Sequence, residues 1–327
     1  MGSGTWSTNA YETRVKQQQA KGQDVFAYNQ GAKGAHPMLD PHGLEVRESR
    51  DGGEHPNSNA IIVGLDVSGS MGRVVRAIHK DLPQLFRLLM GHKYIPDPQI
   101  MFAAFSNGRC DQVPLQVGQF ESDNRMDVNL ENMVMGAPLA SGCDPQESSE
   151  LMLYTAARHT SIDCWEKRHR KGYLFLITDE PAYTQVKQAE INQIIGPRLH
   201  EDISLEQMIS ETSERYHIYV IVPATTSNGQ CAPAALEFWK SYVGPEHVIE
   251  LHNPDDISET MALTIGLTEQ AIQLAEGLHH LEADGADRNT LNALSASLAA
   301  TAGQSIKGTG FGLNDLNTGD EKRPRRL

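Results

Sequence analysis

Asn59-Ala-Ile-Ile-Val-Gly-Leu-Asp66-Val-Ser68-Gly-Ser70-Met-Gly72, continuing as Arg73-Val-Val-Arg-Ala-Ile-His-Lys-Asp-Leu-Pro-Gln-Leu-Phe86, is the stretch whose reading decides the fold. Ala60 to Leu65 is a short, mostly apolar run rich in β-branched residues, the pattern of a buried strand. Val74, Val75, Ile78, Leu82, Leu85, Phe86 and Leu89 then recur at helical spacing. The order is strand, tight loop, helix, and Pro83 predicts a kink or an end to that helix.

The loop offers Asp66, Ser68 and Ser70 at alternate positions, which an extended segment points the same way. Carboxylate and hydroxyl oxygens are hard donors and suit a small hard dication. This Asp-x-Ser-x-Ser run, with Gly72 completing Asp-x-Ser-x-Ser-x-Gly, resembles the metal-ion-dependent adhesion site of von Willebrand factor type A domains. A second apolar run, Tyr173-Leu-Phe-Leu-Ile-Thr178, ends in Asp179-Glu-Pro and resembles that family's later strand ending in Thr-Asp-Gly. The resemblance spans roughly residues 59 to 255, with boundaries good to a few residues, and is to intracellular, bacterial-type members.

The resemblance implies that Ser68 and Ser70 bind Mg²⁺ (or Mn²⁺) directly, while Asp66 and Asp179 contribute directly or through water. It also implies one open position, filled by an acidic side chain of a protein partner. In the family a Thr on a further loop completes the site. Here Asp144 or, less well, Ser141 stands in its place. Asp144 reads equally as a helix N-cap, with Pro145 at the first helical position and Glu147 three residues after the cap. As a third carboxylate, Asp144 would leave the site formally negative and weaken its pull on a partner carboxylate.

The composition sets bounds. The 327 residues are 39% hydrophobic, enough for one large domain with extensions or two small ones. A formal net charge of −14 confines any nucleic-acid surface to a local patch, and nucleic-acid binding is set aside. Cys110, Cys143, Cys164 and Cys231 show no Cys-x-x-Cys pair and no zinc-ligand spacing, and read as free thiols in a reducing, cytoplasmic compartment. There is no signal-peptide core and no apolar run that would cross a bilayer.

Along the chain, residues 1–58 are polar and broken, an N-terminal arm that packs on the domain or a partner, or a plain tether; Val25, Phe26, Tyr28, Met38 and Leu39 are its candidate anchors. Within 59–255, strands are expected at Gln99–Phe105, Gln112–Phe120 (an edge strand), His217–Pro223 and His247–Leu251. Helices are expected near Gln185–Ile195, Ser204–Arg215 and Ala232–Val243. This alternation predicts an α/β fold, a doubly wound, mostly parallel sheet flanked by helices, with ligands at the strands' C-terminal ends. Residues 256–302 read as C-terminal helices, one of them running from Asp255 to His280, and 303–327 as a disordered tail.

The leading functional expectation is a non-catalytic, Mg²⁺-dependent protein-binding adaptor. By analogy with bacterial-type relatives it works beside an AAA+ ATPase of the MoxR or chelatase type, necessarily another chain since no Walker A motif occurs here. The alternative is a structural subunit of a homo-oligomer in which the metal only staples loops. A metal-dependent hydrolase ranks last: Gly-x-Ser-x-Gly and His-Glu-x-x-His are absent, and Glu180 is the only nameable base.

Overall fold

The computed structural model describes residues 4–29, 31–136, 146–224 and 232–305. Its strands in chain order are β1 (Arg47–Ser49), β2 (Asn59–Asp66), β3 (Pro98–Phe105), β4 (Leu115–Val117), β5 (Thr160–Ile162), β6 (Gly172–Ile177), β7 (Gln185–Val186), β8 (Ile203–Ser204), β9 (Tyr216–Pro223) and β10 (Val248–Leu251). Six of them form the central sheet in the order β10-β9-β6-β2-β3-β4. All neighbours in it run parallel except β4, which lies antiparallel on β3 at the edge.

Every residue of β2 and β3 is buried, because helices cover both faces of the sheet. Ile61, Val63 and Leu65 face one core, with α2 (Gly72–Gly91) and the helices Ile257–Thr268 and Arg288–Ser305. Ala60 and Ile62 face the other, with Leu151 and Met152 of the helix Ser149–Arg158 and with Leu205 and Met208. A Cβ on Gly64 would stand 3.2 Å from Met152 Cγ and 3.3 Å from Leu176 Cδ2, so the bare backbone there lets Ser149–Arg158 pack close. The expected doubly wound α/β architecture is what the chain adopts.

Several local expectations need correction. Of the two outcomes expected at Pro83, a kink or an end, the end does not occur: the first helix runs through it to Gly91. Pro83 has no N–H to give the carbonyl of His79, four residues earlier. That carbonyl instead accepts the Tyr11 hydroxyl at 2.7 Å. Tyr11 belongs to α1 (Thr8–Ala20), a helix that the polar N-terminal sequence did not suggest. Arg14 of α1 pairs with Asp127 and Glu131, while Phe26 and Leu39 are fully buried; Met38, another candidate anchor, is exposed.

The helix expected to open on Asp144-Pro145 begins only at Ser149, so Glu147 precedes its first turn, and Asp144 itself lies outside the described residues. The expected long helix over Asp255–His280 is two helices, Ile257–Thr268 and Leu274–Ala283. Gln270 between them takes the left-handed conformation (φ 55°), and the Ala271 and Ile272 amides turn back onto the Gly266 carbonyl, closing the first helix. Finally, Cys110 is disulfide-bonded rather than a free thiol, which removes the ground for a reducing compartment. Cys164 is free and buried, and Cys143 and Cys231 lie outside the described residues.

Candidate functional site

β2 is flanked by β3 on one side and β6 on the other, and the chain order reverses across this pair, which opens a crevice at the strands' C-terminal ends. Asp66 is the last residue of β2 and Asp179 follows β6 by two residues. Both are buried. The loop after β2 curls into a short 3₁₀ turn, Gly69–Met71, that leads into α2, and it keeps Ser68 and Ser70 half-exposed.

Hydrogen bonds gather these four residues. Asp66 Oδ1 accepts the Ser68 amide at 2.8 Å, and Asp66 Oδ2 accepts the Thr178 hydroxyl at 2.9 Å. Ser68 Oγ and Ser70 Oγ lie 3.1 Å apart, and Ser70 Oγ donates to Asp179 Oδ1 at 3.2 Å. Of the five residues expected to form the site, the structure thus brings together Asp66, Ser68, Ser70 and Asp179; Asp144 and its alternative Ser141 lie outside the described residues.

Two residues of this neighbourhood escaped the sequence reading. Thr178 orients the Asp66 carboxylate, and its hydroxyl also accepts the Glu180 amide at 3.2 Å. Its signal was present, as the residue before Asp179 at the strand end. Glu147 is 5% exposed, and its charged neighbours are Asp66, Asp111, Glu180 and Asp179. It passed as a capping residue because its spacing to Asp144 suited both roles.

The electrostatics are those of crowded acids. Burial first, and then the negative charge of Asp179, push the Asp66 carboxyl well above its usual range; hydrogen bonds from Ser68 and Thr178 oppose this. Glu147 is pushed up more strongly, by burial and then by Asp66, Asp111, Glu180 and Asp179. Among the described residues, no Lys, Arg or His pairs with Asp66 or Glu147. Two buried carboxylates linked through Ser68 and Ser70, whose hydroxyl oxygens lie beside them, form a donor set that fits a hard dication, whose charge offsets their repulsion. Among the described residues no three His, Cys, Asp or Glu side chains gather closely enough to hold a metal by themselves.

Around this crevice, Arg109 lies over the Tyr183 ring at 3.7 Å and pairs with Glu190 at 3.1 Å. A groove of about 450 Å³ lined by Asp40, His42, Gly108 and Asp111 adjoins it. A second cleft, also about 450 Å³ and lined by Lys171, His217, Tyr219 and His247, opens near the opposite ends of β6 and β9.

No family model matches the chain, and no curated protein matches it significantly. Solved structures do. The pilus adhesin SpaC from Lactobacillus rhamnosus GG, in its open conformation, matches with a TM-score of 0.45 at 10% identity, over 68% of this chain and 31% of its own. Proximal thread matrix protein 1 (PTMP1) from the mussel byssus matches with a TM-score of 0.39 at 12% identity, over 71% of this chain and 47% of its own. The chain therefore spans less than half the length of these structures. Likeness at this level does not carry function to this chain.

Proposed function

We propose that this chain is a non-catalytic, cation-dependent protein-binding module of the von Willebrand factor type A kind. Asp66, Ser68, Ser70 and Asp179 would hold one Mg²⁺ (or Mn²⁺), and the bound ion supplies an open coordination position to an oxygen of a protein partner. The observation that carries this reading is the hydrogen-bonded chain Ser68–Ser70–Asp179 beside the buried Asp66, at the mouth of a doubly wound sheet. Thr178 and the Ser68 amide fix both oxygens of Asp66, which pre-orients the carboxylate and lowers the ordering cost of binding.

The resemblance also motivates an AAA+ ATPase as partner; that part is analogy. Among the described residues no helix is long and apolar enough to cross a membrane. The test is a tagged pull-down from the native host with Mg²⁺ in one arm and EDTA in the other, beside an Asp66→Ala control. A partner lost both with EDTA and in the variant supports the module. A partner retained in both would assign the cation site a structural role.

A further inference from the structure

We propose that the cleft across the N-terminal ends of β6 and β9 binds a small organic monoanion, a carboxylate carried on an aromatic or apolar body, with Lys171 as its counter-charge. The cleft lies at the end of the sheet opposite Asp66 and is independent of the cation site.

The sheet builds the cleft. Lys171 immediately precedes β6, His217 is the second residue of β9, and His247 immediately precedes β10. In the parallel register Tyr173 pairs with His217, and Val248, next to His247, pairs with Val220, next to Tyr219. The rings meet accordingly: centroid to centroid, Tyr173 lies 5.3 Å from His217 and Tyr219 lies 5.0 Å from His247. Helices close the sides, with Ile209 and Tyr242 on one face of the sheet and Leu267 on the other. The enclosed volume of about 450 Å³ is that of a small-molecule site.

The charge in the cleft is unbalanced. No acid lines it, although the chain carries a net charge of −14. Lys171 is half-buried, and among the described residues no carboxylate pairs with it. The acids nearby are engaged elsewhere or stand back: Glu269 pairs with Arg170 and accepts the Tyr173 hydroxyl at 2.6 Å, Glu206 bonds Tyr242, and Glu246 bears on Tyr219 without lining the cleft. Burial, and then Lys171 and His247, push the His217 pKa down to about 4, so at neutral pH the ring is uncharged and keeps one N–H. Among the described residues that N–H has no acceptor. His247 is held by its Nδ1, which donates to the Ile218 carbonyl at 2.9 Å. One ammonium and one imidazole N–H suit the two oxygens of a carboxylate, and the rings with Ile209 and Leu267 suit an apolar body. A doubly charged phosphate would keep one charge unmatched in a half-buried place.

The experiment uses benzoate as probe, with benzamide as its uncharged counterpart and phenyl phosphate as the dianion, each titrated calorimetrically into the full chain in EDTA. Benzoate should bind at one site, about tenfold or more tighter than either, since a charge-assisted hydrogen bond separates them. Lys171→Met should reduce benzoate to the affinity of benzamide and leave benzamide binding as it was, which a disturbed fold would not do. Lys171→Arg should retain most of the benzoate affinity, and Asp66→Ala all of it. Equal affinity for benzoate and benzamide, no benzoate binding at millimolar concentration, or benzoate binding undiminished in Lys171→Met would overturn the site. Tighter binding of phenyl phosphate than of benzoate would overturn the carboxylate as its ligand, and weakened benzoate binding in Asp66→Ala would overturn its independence of the cation site.

Discussion

Tyr11→Phe removes one oxygen from a residue 6% exposed, and the consequence depends on Pro83. The His79 carbonyl has no N–H to receive four residues on, and the Tyr11 hydroxyl at 2.7 Å takes that place. Burial, with Asp127 and Asp81 nearby, pushes the Tyr11 pKa up, so the hydroxyl stays a donor throughout the working pH range. Losing it orphans a buried carbonyl, which costs about 1–3 kcal/mol. In a Pro83→Ala background the new Ala amide bonds that carbonyl within the helix. Tyr11→Phe should then cost only about 0.5–1 kcal/mol, the net value of an ordinary hydrogen bond. Urea denaturation of the four proteins in this cycle measures the difference, with an expected coupling of roughly 1 kcal/mol or more. An equal cost of Tyr11→Phe in both backgrounds would refute the idea that α1 repairs the helix at Pro83.

Two further outcomes follow from buried groups. Glu150 is fully buried, and desolvation raises its pKa to about 8. The folded state therefore holds a proton that the unfolded state releases above about pH 4.3, so stability falls as pH rises towards 8, by roughly a kcal/mol per unit. Glu150→Gln should flatten that slope in urea melts at pH 5, 6.5 and 8; parallel profiles would show that the carboxyl titrates normally. Alkylation should leave Cys110 unmodified in unfolded protein until a reductant is added, while Cys164 reacts on unfolding alone. Peptide mass mapping reads both, and alkylation of Cys110 without reductant would contradict the disulfide.

The sheet was legible because its strands are buried on both faces and their apolar runs are long: β2, β3 and β9 were found to within a residue or so. The helix Ala232–Val243 was also read to the residue. Asp66, Ser68, Ser70 and Asp179 were legible because a loop motif and a strand end encode them locally. What failed depends on partners distant in sequence. α1 has no apolar stripe and is held by Tyr11 and by Arg14 with Asp127, over a hundred positions on. Pro83 left open a helix end as well as a kink because the donor that replaces its amide is Tyr11. Glu147 looked like a cap because only the pairing of residues 147 and 148 with the ends of β3 and β6 shows that it faces other acids.

The central claim is that Asp66, Ser68, Ser70 and Asp179 hold a divalent cation. Anomalous diffraction from crystals of the full chain grown with Mn²⁺ tests it most directly. One peak within coordination distance of Ser68 Oγ and Ser70 Oγ, about 2.2 Å for a hard dication on oxygen, and beside the two aspartates, is the expected result. A crystal with Mn²⁺ bound elsewhere and no peak between these four residues would contradict it.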